Sequence, residues 1–200
     1  MSVQHVRQST ISRKTGETDL ILTLNLDGTG KSQVDTGIGF FDHMLTLFAY
    51  HGGLDLNLKV QSADLHVDGH HLVEDTGIVL GKALAQALGD KAGIRRYGSM
   101  YLPMDETLVR AVLDLSGRPF LVFNANFKAP MCGNFDTQLT VEFFRAIAFN
   151  GLLTLHIDVL TEGNTHHEIE GIFKAFGRAL RQAAALDERV QGIPSTKGLL

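Results

Sequence analysis

A His-His-x-x-Glu motif occurs twice in the 200-residue chain, and its residue types and spacing are those of a metal-binding site. The first copy is HHLVE at 70–74, and the second is HHEIE at 166–170. On a helix, residues i and i+4 lie on one face, whereas residue i+1 points about 100° away. The first histidine and the glutamate of each copy can therefore bind one ion, while the second histidine points elsewhere. A favourable helix dipole explains an acidic first turn, but it does not explain two adjacent histidines in both copies.

The two motifs belong to an internal repeat. Residues 70–84 align with residues 166–180 without a gap, at an offset of 96 residues. A second alignment, at an offset of 99, places His43 on Glu142 in the preceding predicted helices. Because the repeat extends beyond the motif, it indicates a duplicated α/β unit and strengthens the case for a two-metal site.

Hydrophobic periodicity predicts strands, a helix, a strand and a helix in each half. In the first half we predict strands at 3–12, 19–26, 31–36 and 54–60 and helices at 40–53 and 70–89. In the second half we predict three strands within 97–126, helices at 137–151 and 165–186, a strand at 152–158 and a loop at 128–135. Asp27-Gly28 predicts a hairpin that pairs 19–26 with 31–36.

These patterns predict an α+β fold of two half-domains, residues 1–92 and 93–186, related by pseudo-two-fold symmetry. We expect a mainly antiparallel sheet in each half, with two helices on one face, and we expect the two helix layers to pack together. A polar tail, residues 187–200, follows the second half.

The symmetry predicts two four-ligand metal sites. Each ion would take the i/i+4 pair of one repeat, the second histidine of the other repeat and either His43 or Glu142. The first set is His70, Glu74, His167 and Glu142, and the second is His166, Glu170, His71 and His43. Imidazole and carboxylate ligands without a thiolate suit Mn, Fe, Co, Ni or Zn, and the set does not choose among them. His43 alone would equally fit a histidine packed in the core.

Composition and charge exclude several classes of function. The formal net charge is −4 and no segment is rich in Lys and Arg, so nucleic acid is not an expected partner. Neither a signal-peptide-like segment nor a membrane-spanning stretch is present in the sequence, so we expect a cytoplasmic protein with no membrane partner. The single cysteine, Cys132, excludes an intrachain disulfide framework.

Eight segments together carry a resemblance to a known family. They are FFDHML (40–45), HHLVEDTGIVLGKAL (70–84), GIRRYG (93–98), PMDET (103–107), LDLSGRP (113–119), VEFFRA (141–146), HHEIEGIFKAFGRALRQA (166–183) and PSTKG (194–198). With these segments the chain resembles the imidazoleglycerol-phosphate dehydratases over nearly its whole length. The resemblance implies a hydro-lyase of L-histidine biosynthesis that uses two Mn²⁺ per subunit to convert imidazole glycerol phosphate into imidazole acetol phosphate. It also implies a homo-oligomer of 24 subunits with active sites shared between neighbours.

The resemblance also implies roles for individual residues. Its candidates for proton transfer are Glu17 first, then His51, Asp105 and Lys174, and its candidates for phosphate binding are Arg96, Arg118, Ser195 and Lys197. The phosphate candidates bring the tail, residues 187–200, to the active site. A forked Arg donor suits a phosphate dianion. The family often has His where this chain has Glu142. Without the resemblance, Glu17 would be a solvated turn residue, and Arg118 and Lys197 would be ordinary turn charges.

Two other classes of function use the same ligands. A di-metal hydrolase would use them to activate a bridging hydroxide. A metal-storage or structural cage would use them to assemble subunits, without any acid–base residue. Assays with imidazole glycerol phosphate and with a panel of phosphoesters distinguish these classes from a dehydratase.

Overall fold

The structure, a computed structural model, describes residues 6–200. The first half contains β1 (Gln8–Lys14), β2 (Thr18–Asn25), β3 (Ser32–Asp35), α1 (Gly39–Gly52), β4 (Asp55–Ala63) and α2 (His70–Leu88). The second half contains β5 (Tyr97–Met104), β6 (Thr107–Asp114), β7 (Phe120–Asn124), β8 (Met131–Cys132), β9 (Phe135–Asp136), α3 (Leu139–Asn150), β10 (Thr154–Thr161) and α4 (Thr165–Ala184). The first predicted strand, 3–12, begins outside the described residues. The predicted loop 128–135 contains β8 and the start of β9, so that prediction is wrong in part.

Each half forms one four-stranded sheet, and the two sheets have equivalent strand orders. The first is β1-β2-β4-β3 and the second is β5-β6-β10-β7. In each sheet the first three strands are antiparallel and the last strand is parallel to its neighbour. Strand β2 buries Leu20, Leu22 and Leu24 on its inner face, as the two-residue period of a strand requires. The predicted α+β fold of duplicated halves is confirmed.

The hairpin predicted between residues 19–26 and 31–36 is wrong. Strand β4 lies between β2 and β3, and β3 pairs with β4 in parallel. The Asp55 carboxylate, at the start of β4, accepts hydrogen bonds from the backbone N–H groups of Thr29 and Lys31, at 2.8 and 3.0 Å. The loop before β3 is therefore held across the end of β4 and does not turn back onto β2. An Asp-Gly pair is a local signal, and it cannot report a competing strand from farther along the chain.

The four helices form two layers between the sheets, and they pack across the halves. Helix α2 lies on β1 and β2, α4 lies on β5 and β6, α1 packs along α4, and α2 packs along α3. Gly177 of α4 permits one crossing, since a Cβ there would lie 2.7 Å from the Phe48 carbonyl oxygen. Its repeat partner Gly81 permits the other crossing, since a Cβ there would lie 2.8 Å from the Ile147 carbonyl oxygen. Both glycines allow helix backbones to approach closely.

Aromatic side chains fill the space between the helix layers. Phe143 of α3 stacks on Phe173 of α4 with ring centroids 5.2 Å apart, and Phe48 of α1 stacks on Phe176 of α4 at 5.3 Å. All four side chains are almost fully buried. Packing at this density holds α1 and α4 in one fixed relation, which matters because both helices carry candidate ligands. Among residues 6–200, no helix is long and apolar enough to cross a membrane.

Candidate metal centre and active site

Three candidate ligands meet where α1 packs along α4. His166 Nε2 lies 3.1 Å from Glu170 Oε2, and His43 Nε2 lies 3.4 Å from the same oxygen. The Asn164 side chain accepts a hydrogen bond from the His166 N–H at 2.8 Å, and this cap begins α4 with the i/i+4 pair on one face. The Glu170 side chain is buried, whereas the two imidazoles are half exposed. The group can therefore hold an ion that remains accessible from solvent.

Lys174 and His51 lie beside this group. Lys174 Nζ is 2.5 Å from Glu170 Oε1. Burial opposes ionisation of Glu170, but Lys174, His166 and His43 outweigh it, so the Glu170 pKa lies below its ordinary value. Burial, followed by the charges of Lys174 and Arg178, lowers the pKa of His51. The lowered pKa favours the neutral form of the His51 imidazole, and the Lys174 side chain is held against the Glu170 carboxylate.

The second histidine of the first motif lies in a group with two carboxylates. His71 Nδ1 is 2.9 Å from Asp64 Oδ2, and His71 Nε2 is 3.7 Å from Glu17 Oε1. The pairing of β2 with β4 places the two carboxylates together, because the Asp64 N–H donates to the Glu17 carbonyl at 3.1 Å. The hydrogen bond that the Asp64 carboxylate accepts from His71 is the main cause of a raised His71 pKa.

The second histidine of the second motif lies in an equivalent group. His167 Nδ1 is 3.1 Å from Glu106 Oε2, and Asp105 completes the cluster. Glu106 Oε1 also accepts the Asn164 backbone N–H at 2.6 Å. Hydrogen bonds from the Asn164 N–H, the Glu106 N–H and His167, in that order, lower the Glu106 pKa to about 2.

The two groups are related by the internal repeat. Glu17 lies in the turn between β1 and β2, and Asp105 and Glu106 lie in the equivalent turn between β5 and β6. Each turn brings a carboxylate to the second histidine of the motif in its own half. The structure thus places Glu17 and Asp105, two of the proton-transfer candidates, beside the two histidines that point away from the i/i+4 pairs. Asp64 and Glu106 were missed by sequence reasoning. The one indication in the sequence was that Glu106 directly follows the proton-transfer candidate Asp105.

The four-ligand sets expected from the sequence are not assembled within one chain. Among residues 6–200, the clusters able to hold an ion contain neither His70 nor Glu74 nor Glu142. Glu142 instead pairs with Arg145 on its own helix, at 2.6 Å. Helix α1 packs on α4, and helix α2 packs on α3. One chain therefore presents partial ligand sets, and the completion of each set stays a prediction for the assembled protein.

The phosphate-binding candidates converge on another part of the surface. Arg96, Arg118, Ser195 and Lys197 line one cleft of about 1000 Å³. The tail reaches this cleft because the Gly93 N–H donates to the Gly192 carbonyl at 2.8 Å. Arg96 is held by Asp114, at 2.7 and 3.1 Å, and by the Pro194 carbonyl at 2.9 Å, whereas the Arg118 side chain is 68% exposed. The arrangement offers several cationic donors to an anion.

Comparison with known proteins decides the family. The sequence profile of imidazoleglycerol-phosphate dehydratase matches residues 36–180. The chain belongs to the imidazoleglycerol-phosphate dehydratase family. It is 59% identical to the dehydratase of Acetivibrio thermocellus, over 97% of this chain and 99% of the relative. It is 58% identical to that of an Exiguobacterium species, over 96% of this chain and 98% of the relative.

Solved structures of dehydratases of this family share the fold. The Staphylococcus aureus dehydratase superposes with a TM-score of 0.82 at 48% identity, over 90% of this chain and 99% of that chain. The Pyrococcus furiosus dehydratase superposes with a TM-score of 0.81 at 38% identity, over 95% and 100%. As a member of the imidazoleglycerol-phosphate dehydratase family, the chain is an enzyme of the carbon–oxygen hydro-lyase class.

Proposed function

We propose that the chain converts imidazole glycerol phosphate into imidazole acetol phosphate and water in L-histidine biosynthesis, using two Mn²⁺ per subunit. The match to the dehydratase family over residues 36–180 is the observation that carries the proposal. The cluster of His43, His166 and Glu170 supports the metal requirement, because the reaction of a neutral imidazole ring needs an electron-withdrawing partner.

The donor atoms fit a divalent ion of the Mn²⁺ type. His43, His166 and Glu170 offer two imidazole nitrogens and one carboxylate oxygen, which lie within 4.8 Å of one another. The residues proposed for the other ion, His70, Glu74, Glu142 and His167, offer the same chemistry. When bound, the two ions supply Lewis-acid stabilisation of negative charge on the substrate imidazole. The partial sets in one chain support sites that neighbouring subunits complete, and the family resemblance is the basis for proposing a homo-oligomer of 24 subunits.

The protein side chains must supply the proton transfers and hold the phosphate. An acid has to protonate the leaving hydroxyl, and a base has to take the proton from C2. Glu17, His51, Asp105 and Lys174 are the candidates for these roles. Their positions support the proposal, because Lys174 and His51 adjoin the group around Glu170 while Glu17 adjoins His71. Arg96, Arg118, Ser195 and Lys197 would bind the phosphate and fix the substrate carbon chain.

Localisation and partners follow from the same proposal. A biosynthetic hydro-lyase that acts on a small phosphorylated imidazole belongs in the cytoplasm. Its partners are the substrate and copies of itself, without nucleic acid or membrane.

One assay tests the proposed function. Purified protein loaded with Mn²⁺ is incubated with imidazole glycerol phosphate and, in parallel, with a panel of phosphoesters. We expect imidazole acetol phosphate to form and inorganic phosphate not to be released. Phosphate release would favour the di-metal hydrolase. Metal binding without turnover of any substrate would favour the storage or structural cage.

A further inference from the structure

A carboxylate outside the repeated motif contacts the ring of the second histidine in each half. Asp64 Oδ2 lies 2.9 Å from His71 Nδ1, and Glu106 Oε2 lies 3.1 Å from His167 Nδ1. The contact involves the same ring nitrogen in both halves, although the two carboxylates come from different elements. Asp64 follows β4, whereas Glu106 lies between β5 and β6.

Backbone hydrogen bonds hold the Asp64 main chain and the Glu106 carboxylate in place independently of the two histidines. The Asp64 N–H donates to the Glu17 carbonyl at 3.1 Å, which extends the pairing of β2 with β4 by one residue. Glu106 accepts the backbone N–H of Asn164 at 2.6 Å, and Asn164 is the N-cap of α4. Each residue is therefore held by a contact outside the histidine, and its carboxylate offers the ring a fixed direction for Nδ1.

A hydrogen bond from Nδ1 to a carboxylate determines the tautomer of the ring. A neutral imidazole carries one N–H, so a proton on Nδ1 leaves the lone pair on Nε2. Metal-bound histidines commonly donate their other N–H to a carboxylate, which fixes the ring and raises its basicity. Nε2 of His71, 3.7 Å from Glu17 Oε1, is then the nitrogen free to bind an ion.

We infer that Asp64 and Glu106 are positioning residues: each fixes the tautomer and orientation of its histidine, so that Nε2 of His71 or of His167 binds the divalent ion. This inference rests on the proposed function, because it takes the two histidines as metal ligands. It adds two residues from outside the ligand sets, one in each half-domain, and both residues act on the second histidine of a motif.

The test measures Mn²⁺ affinity and not activity. Asp64→Asn and Glu106→Gln keep the side-chain shape but remove the charge. Competition with a chromophoric chelator is measured on the full-length protein after chelation and reloading with Mn²⁺. We expect each variant to bind one of its two ions about 10–100-fold more weakly, with the other ion near the parental affinity. Asp64→Glu and Glu106→Asp, which retain a carboxylate, should recover part of the loss. Glu162→Gln is the matched control, because Glu162 pairs with Lys128 at the surface rather than with either histidine, and should keep parental affinity.

Two results would overturn the inference. One is parental affinity at both ions in Asp64→Asn and Glu106→Gln. The other is a loss of affinity that the carboxylate-retaining variants do not recover at all, accompanied by a lower melting temperature of the metal-free form, which would make both residues purely structural. Failure of the proposed function is a separate observation: a parent protein that binds two ions but does not dehydrate imidazole glycerol phosphate leaves the affinity result intact.

Discussion

His43 and Glu170 come from opposite halves of the chain, and His43 Nε2 lies 3.4 Å from Glu170 Oε2. The first residue lies on α1 and the second on α4, so the group exists only while these helices are packed together. The close approach of the helices depends in turn on Gly177, which has no side chain to separate them. Metal binding by the second motif therefore depends on this helix crossing. The equivalent crossing in the other half of the repeat is at Gly81.

Gly177→Ala should destabilise the protein and disturb this metal group. The added Cβ would lie 2.7 Å from the Phe48 carbonyl oxygen and 3.1 Å from the Gly52 nitrogen, both of which belong to backbone. We expect overpacking to cost about 1–3 kcal/mol of unfolding free energy, measured by denaturant unfolding. Gly39→Ala is the matched control, because no atom lies within 4 Å of its Cβ position. Equal stability of the two variants would show that the crossing tolerates a side chain.

Glu74→Gln should reduce the number of bound ions. Glu74 belongs to one proposed ligand set only, so the variant should lose or weaken one ion and retain the other. Elemental analysis of the reloaded protein should give close to one Mn²⁺ per chain, against two for the parent. Glu188→Gln, in the tail, serves as a control for the loss of one carboxylate. An unchanged metal count in Glu74→Gln, or fewer than two ions in the parent, would contradict the division of ligands into two sets.

Lys197→Ala should weaken substrate binding. Lys197 lines the cleft with Arg96 and Arg118, and a charge-assisted contact is worth about 1.5–3 kcal/mol. We expect KM to rise at least about tenfold while kcat changes little. Lys128→Ala removes an exposed lysine that pairs with Glu162 and should leave KM at the parental value. A loss of kcat alone would move Lys197 from phosphate binding to catalysis.

Arg96→Ala should raise KM in two ways, by removing a phosphate contact and by releasing the C-terminal tail. Arg96 is already engaged by Asp114 and by the Pro194 carbonyl, so it positions the tail that carries Ser195 and Lys197. We expect at least about a tenfold increase in KM, together with faster proteolysis of the tail in the free enzyme. A parental KM with a protease-resistant tail would exclude both roles.

Local patterns in the sequence predicted the helices well, and they predicted that His166 and Glu170 lie side by side. The i/i+4 spacing of His166 and Glu170 is a property of one helix, and the repeat then identified the equivalent residues in the other half. Sheet order could not be obtained in this way. The turn at Asp27-Gly28 gave a correct local signal for a change of direction, but the strand that pairs with β3 is β4, and Asp55 at its start holds the connecting loop.

The carboxylates that contact the second histidines could not be predicted from local patterns either. Asp64 lies beside Glu17 only because Ala63 of β4 pairs with Thr18 of β2, and no spacing in the sequence reports that register. The sequence could not predict which residues complete each ligand set, and the reason here is different. The predicted partners of His71 and His167 in the opposite repeat are not brought to them within one chain. Ligands from neighbouring subunits, as we propose, would leave no pattern along the chain.

Metal binding and subunit assembly should be linked. Removing the ions would leave carboxylates and imidazoles facing one another at subunit junctions, and buried carboxylates without a cation are costly. Ions that bind only the assembled form favour assembly by mass action. Chelation should therefore convert the proposed 24-subunit particle into smaller oligomers, and Mn²⁺ at neutral pH should restore it. Light scattering that finds a full-size particle in a thoroughly chelated sample would show that apolar contacts alone hold the assembly.

Titration of metal into the chelated enzyme is the sharpest test of whether this chain dehydrates imidazole glycerol phosphate with two ions per subunit. Chelated protein is reloaded with increasing Mn²⁺, and formation of imidazole acetol phosphate is followed against the number of ions bound per chain. We predict negligible turnover without metal and a rate that reaches its maximum at two ions per chain. Full turnover in the chelated protein, or no turnover at two ions per chain, would contradict the account.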